Sequence, residues 1–94
     1  MKVVVKVTSK HIKKGRPGCT NFCPVACALA DAGFLDPTVP GRGKPLKIKL
    51  NKKDESIQVP CPQKVNEFVE KFDRYGHGYA DVTYKPFQFK INIP

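Results

Sequence analysis

An α+β fold in one small domain, residues 1–94, is predicted by three features of the sequence. Val3, Val5 and Val7 alternate with Lys2, Val4 and Lys6, and Phe87, Phe89, Ile91 and Ile93 alternate with Gln88, Lys90 and Asn92. Such period-two runs read as strands with one buried face. Between them lie two stretches with helical spacing, each opened by proline and closed by glycine: Pro24 to Gly33 and Pro62 to Gly76.

The elements follow in order. After the first strand, Thr8 or Ser9 caps a short turn and Gly15 ends it, and Gly15-Arg16-Pro17-Gly18 is turn chemistry. Cys23 stands at the cap position of the first helix, Pro24 at its first residue and Gly33 just past its end. Val25, Ala28, Leu29 and Ala32 fall at i, i+3, i+4 and i+7, a core-facing stripe, and Phe34 suits the apolar contact of a Schellman ending. Residues 36–45, rich in proline and glycine, read as a loop. Leu46, Ile48 and Leu50 then alternate with Lys47 and Lys49, and Ile57 and Val59 form the returning strand, ended by Pro60. Val65, Phe68, Val69 and Phe72 make the stripe of the second helix, and a loop through His77 and Gly78 leads to the last strand.

Strand, helix, strand, strand, helix, strand is the order of the split βαβ, or ferredoxin-like, arrangement. It predicts one antiparallel sheet with two helices on one face. Right-handed crossovers would make the first and third strands parallel central neighbours. Another strand order is the main alternative.

Composition narrows the function. Mean hydropathy is −0.37, and no apolar run nears the roughly 18 residues a membrane span needs. The start, MKVVVKVTSK, reads as a strand and not as a signal peptide, so a cytoplasmic protein is expected. The formal charge of +9 is uneven. Residues 1–53 hold twelve Lys or Arg against Asp31 and Asp36, a net +10; residues 54–94 hold five against six acids, a net −1. Such a field attracts nucleic acids, nucleotides, acidic proteins or anionic surfaces. Solubility alone is the bland explanation.

If the valines and phenylalanines face the helices, Lys2, Val4, Lys6, Lys47, Lys49, Gln58, Gln88, Lys90 and Asn92 face water. Five of these are lysines and none is an acid, which predicts a cationic platform. Protection of exposed strand edges is the competing explanation. No aromatic side chain points outward on this face, so base stacking of the RNA-recognition type is not expected. A second cluster, Lys10, Lys13, Lys14 and Arg16, precedes the first helix, and Arg42 sits in a Gly41-Arg42-Gly43 loop read as a flexible cationic rim. Cys23-Pro24 and Cys61-Pro62 place a cysteine at the cap of both helices, and the ferredoxin-like order would set both positive helix ends at one end of the sheet, an anion site.

Cys19, Cys23 and Cys27 recur every four residues, with Cys61 distant. Four thiols can enclose zinc, but the tight Cys-x2-Cys knuckles of zinc fingers are missing, and the spacing fails the common iron–sulfur runs. A Cys23–Cys61 or Cys19–Cys23 disulfide requires an oxidising compartment. Reduced, partly buried cysteines are expected, with no metal and no cofactor. His11 and His77 read as surface or packing residues, not general bases, and packing is expected of Tyr75, Tyr79 and Tyr84.

One frame runs through most of the chain: Thr8-Ser-Lys-His11-Ile12-x-x-Gly15; Cys23-Pro24-Val25-Ala26-x-Ala28-Leu29-Ala30; Pro62, Val65, Phe68, Val69, Phe72 and Asp73; and Pro86-Phe87-x-Phe89. It resembles small proteins of bacteriophages and actinobacteria. The resemblance implies a phage or bacterial cytoplasmic setting and supplies no activity. Cys27, Cys61 and the lysine-rich strands are not part of it.

The sequence therefore predicts a non-enzymatic module that binds anions, most readily nucleic acid or a phosphorylated nucleotide, through Lys2, Lys6, Lys10, Lys13, Lys14, Arg16, Arg42, Lys47, Lys49 and Lys90. The alternative is a phage-type modulator docking on an acidic host protein. A third class is a metal- or thiol-dependent site built on Cys19, Cys23, Cys27 and Cys61.

Overall fold

The structure is a computed structural model, described for residues 2–53, 55–76 and 83–93; His77, Gly78 and Tyr79 lie outside these residues. Among the described residues eight elements follow one another: β1 Lys2–Val7, α1 Ser9–Lys14, α2 Pro24–Asp31, β2 Leu35–Thr38, β3 Leu46–Lys49, β4 Ile57–Val59, α3 Gln63–Tyr75 and β5 Phe87–Asn92. The fold is α+β, with a two-stranded sheet β1-β5 and a three-stranded sheet β2-β3-β4, both antiparallel.

The single ferredoxin-like sheet is not formed. Two of its expected pairs are present, β1 with β5 and β3 with β4. The central parallel pair, β1 with β4, is not among the ladders of the described residues. Local chemistry accounts for this. β4 is three residues long and runs into Pro60, which has no N–H to give a ladder. Parallel pairing is also the weaker kind. β5 pairs β1 along six residues, from Lys2 opposite Asn92 to Val7 opposite Phe87, and among the described residues the other edge of β1 carries no ladder.

β3 takes a further partner on its other side. Residues 35–38, read mostly as loop, form the edge strand β2. Pro37 argues against a strand, but Pro is tolerated at edges and bulges. Here the register shifts between Leu35 and Thr38, with Asp36 in the left-handed region at φ 48°. The expected strand end at Leu50 also needs correction: β3 stops at Lys49, and Leu50 is exposed.

The helices form as their signals predict. Cys23 caps α2 by accepting the Ala26 N–H on its sulfur, and Pro24 is the first helical residue. At the other end Phe34 N–H bonds Leu29 O at 3.2 Å and Gly33 N–H bonds Ala30 O at 3.0 Å, with Gly33 at φ +102°. That is the Schellman ending, and Phe34 is buried beneath it. The expected turn after β1 is a short helix, α1, capped by Thr8. α3 begins on Pro62, not on Cys61, so only one of the two expected cysteine caps exists.

One contiguous cluster forms the core: Val5 and Val7 of β1, Val25 and Leu29 of α2, Leu46 and Ile48 of β3, Val59 of β4, Val65, Val69 and Phe72 of α3, and Phe89 and Ile91 of β5. Phe68 and Phe72 of α3 meet Phe87 and Tyr84 in an aromatic group, with the Phe68 and Phe87 rings 4.9 Å apart and those of Phe72 and Tyr84 5.0 Å apart. Tyr84 also donates its hydroxyl to Gly76 O at 2.8 Å, so it has the packing role expected of it. These contacts bring α3 onto the inner face of the β1–β5 ribbon.

Gly15 joins α1 to α2 at a point where no side chain fits. A Cβ there would lie 2.4 Å from Pro24 Cδ and 2.5 Å from the Pro24 nitrogen. Gly15→Ala is expected to destabilise the protein by about 1–3 kcal/mol, the usual cost of overpacking. Urea denaturation checks this through a lower midpoint at unchanged slope.

Candidate functional site

The β1–β5 register sorts the ribbon's side chains. Val5, Val7, Phe89 and Ile91 are buried, while Lys2, Val4, Lys6, Gln88, Lys90 and Asn92 are exposed on the opposite face. Lys2 stands opposite Asn92, Lys6 opposite Gln88, and Lys90 opposite Val4. No lysine faces a lysine directly. Lys90 instead sits diagonally between Lys2 and Lys6, at the roughly 7–8 Å typical of such neighbours, so the repulsion expected of a lysine platform is eased. Among the described residues no ion pair joins these three lysines to an acid.

A fourth cation joins from α3. Lys64 donates to Gln88 O at 3.3 Å and lines a shallow depression with Gln88, Lys90 and Pro62 at the β5 edge. The first turn of α3 carries no acid and has no side-chain cap, so its positive end adjoins the same lysines. Sequence reading missed Lys64, because only the tertiary packing of α3 on β5 brings it to the ribbon.

The other predicted cations are distributed differently. Lys47 is exposed on β3 opposite Thr38 and Gln58, in the second sheet. Lys49 is paired to Asp36 at 3.6 Å, so the platform of five lysines without an acid is corrected on two counts: it spans two sheets and one lysine is neutralised. Arg42 shares a cavity with Glu67, Glu70 and Asp73. The loop holding it is tied to α3, with Gly43 N–H donating to Asn66 Oδ1 at 2.7 Å, so the expected flexible rim is a braced turn. Lys13 and Arg16 are exposed.

Lys10 and Lys14, one helical turn apart on α1, line a cleft of about 470 Å³ with Phe22, Cys27, Asp31 and Asp36. Its geometry is set by His11. The ring is buried, and Nδ1 accepts the Thr8 backbone N–H at 3.0 Å in a reciprocal capping box. The proton therefore sits on Nε2, which donates to Asp31 Oδ2 at 2.5 Å and ties α1 to the end of α2. His11 packs as expected, but its acidic partner twenty residues away was not legible. The two lysines of the cleft face two aspartates, so the cleft is close to neutral and is the poorer anion receptor.

The cysteines do not assemble. All four are free, and among the described residues no group of three or more His, Cys, Asp or Glu could hold a metal ion. The ferredoxin-like order that was to bring the two helix starts to one sheet end is absent, so the paired-helix anion site loses its basis. No described helix is long and apolar enough to cross a membrane. No protein-family model, curated protein or solved structure matches the chain.

Burial pushes the Cys23 thiol up to about 11, against the lowering effect of its helix-end N–H bonds. It should resist iodoacetamide at about pH 8, since the thiolate is the nucleophile, and react only on unfolding; mass spectrometry of the alkylated peptides checks this. Asp31 is held below its ordinary 3.8, first by the hydrogen bond from His11, against desolvation, then by the electrostatic effect of the His11 ring and the charges of Lys10 and Lys14. A depressed folded value contributes stability that is present above the unfolded value and lost as pH falls through the folded one. The gap in urea midpoint between the native protein and Asp31→Asn should therefore narrow as pH falls below 3.8.

Proposed function

We propose that the protein is a non-catalytic nucleic-acid-binding module that engages phosphate through the exposed face of the β1–β5 ribbon. The observation that carries this is the gathering of Lys2, Lys6 and Lys90 on one outward face without an acid, with Lys64 at its edge. In two other places cations and carboxylates share a surface, the cleft beside α1 and the cavity beside Arg42. Phosphate binding by lysine needs no enclosure, only several ammonium groups presented together.

Counterion release makes such binding salt-dependent, with the log–log slope growing by about 0.9 for each phosphate neutralised on duplex DNA. Replacing Lys2, Lys6 and Lys90 together by Gln should reduce that slope by roughly three, and Lys47→Gln should leave it unchanged. Fluorescence anisotropy on a labelled mixed-sequence duplex at several salt concentrations measures both. A flat salt dependence for the native protein, or an equal loss from Lys47→Gln, would count against this reading.

A second reading rests on Phe22, which is 60 % exposed at the cleft that Lys10 and Lys14 line. A large exposed aromatic at the mouth of a near-neutral cleft suits docking on another protein. A partner retained from nuclease-treated lysate by the native protein and released by Phe22→Ser would favour it.

A further inference from the structure

We infer that the β1–β5 ribbon enters the major groove of duplex DNA and reads bases there with Gln88 and Asn92. The inference rests on the nucleic-acid reading above and goes further by naming the groove, the form of nucleic acid and the reading residues.

Width comes first. The major groove, about 12 Å across, admits a helix or a two-stranded ribbon but not a broad sheet. Among the described residues this sheet has two strands, which lie about 4.8 Å apart. Its inner face is buried under α2 and α3, so the outer face is the one available.

The chemistry of that face is mixed in the way base edges require. Gln88 and Asn92 each present a donor and an acceptor side by side, the pattern that matches adenine N6 and N7. Lys2 and Lys6 stand across from them and Lys90 lies between. Ammonium groups there can reach guanine O6 and N7 or the flanking phosphates. Val4, at the centre of the face and 44 % exposed, suits contact with a thymine methyl group. A surface selected for phosphate alone has no use for two amides and an exposed valine.

Spacing agrees as well. Outward residues on one strand recur every second position, about 6.7 Å apart, which is close to two base-pair steps of 3.4 Å. Three cross-strand rungs then cover about five base pairs.

Other nucleic acids fit less well. Single strands are held by stacking on aromatic side chains, and here Phe89 is buried and Phe87 half-buried on the inner face. The major groove of duplex RNA is too deep and narrow for side chains to read. Lys64, at the β5 edge, is placed for the phosphate wall of the groove.

The test compares binding of the full chain to five probes: a random-sequence DNA duplex, the same duplex with glucosylated hydroxymethyl groups on its cytosines to fill the major groove, the first duplex saturated with netropsin to fill the minor groove, one of its single strands, and an RNA duplex of the same sequence. Affinity is expected to fall at least about ten-fold on the glucosylated duplex and to hold with netropsin, because the contacts lie in the major groove. Equal affinity for plain and glucosylated DNA would overturn the groove assignment while leaving phosphate binding in place. Binding to no nucleic acid at all would overturn both, and preference for single-stranded or duplex RNA would overturn the assignment to DNA. Selection from randomised duplexes then tests the readers. The native protein should enrich a site of about five base pairs, and Gln88→Ala/Asn92→Ala, with an unchanged circular dichroism spectrum, should lose its adenine positions while keeping salt-dependent binding. A native selection without enriched sequence would overturn base reading.

Discussion

The alternation of side chains along β1 and β5 is the constraint on which the rest of the molecule depends. One register places Val5, Val7, Phe89 and Ile91 in the core and Lys2, Lys6 and Lys90 in water. A slip of one residue would reverse both sets at once. Each buried apolar side chain contributes about 1.5–3 kcal/mol, whereas cross-strand lysine neighbours cost only about 0.2–1 kcal/mol per pair. Burial therefore sets the register, and the cationic face is its consequence. Because no lysine stands directly opposite another, the cost of that face is reduced further.

The same economy explains the division into two sheets. A continuous sheet would need β4 to reach β1, but β4 has three residues and Pro60 behind it. The two sheets are joined instead by side chains, with Leu46, Ile48 and Val59 meeting Val5, Phe72 and Leu29 in one core. Aromatic packing of Phe68 and Phe72 on Phe87 and Tyr84 holds α3 on the ribbon. At the same end of the ribbon, where β1 finishes at Val7 opposite Phe87, the pair formed by His11 and Asp31 docks α1 against α2, with Gly15 allowing the close approach to Pro24.

What could be read from sequence was whatever has a local signature. Cys23-Pro24 and Gly33-Phe34 mark the ends of α2 through chemistry confined to a few residues, and the stripe Val65, Val69 and Phe72 marks the inner face of α3. The alternating strands were legible for the same reason. Strand order was not, because it depends on which long-range ladder wins. β2 was hidden by Pro37, whose effect on a ladder depends on whether the strand lies at an edge. Of the candidate cations, the ribbon lysines could be placed on one face from periodicity alone. The neutralisation of Lys49 by Asp36, the tie between His11 and Asp31, and the arrival of Lys64 beside Gln88 all join residues more than ten positions apart, and no local pattern encodes them.

Lysine on a narrow, open ribbon also answers a structural need, since exposed strand edges invite pairing with other chains and charge discourages it. That need accounts for charge but not for its sign or its company. Lysine is the commonest guard of an edge but acids serve there too, and the chain places acids freely elsewhere, at Glu67, Glu70 and Asp73 along α3. On the ribbon face the charges are all positive, and the remaining positions are two amides and a valine. On the proposed reading, uniform sign suits a polyanion, which gains from several ammonium groups at once. Amides and a methyl-bearing side chain would then add contacts able to distinguish one base edge from another. Edge protection accounts for charge on the ribbon, and the proposed recognition accounts for its uniform sign and for the remainder of the face.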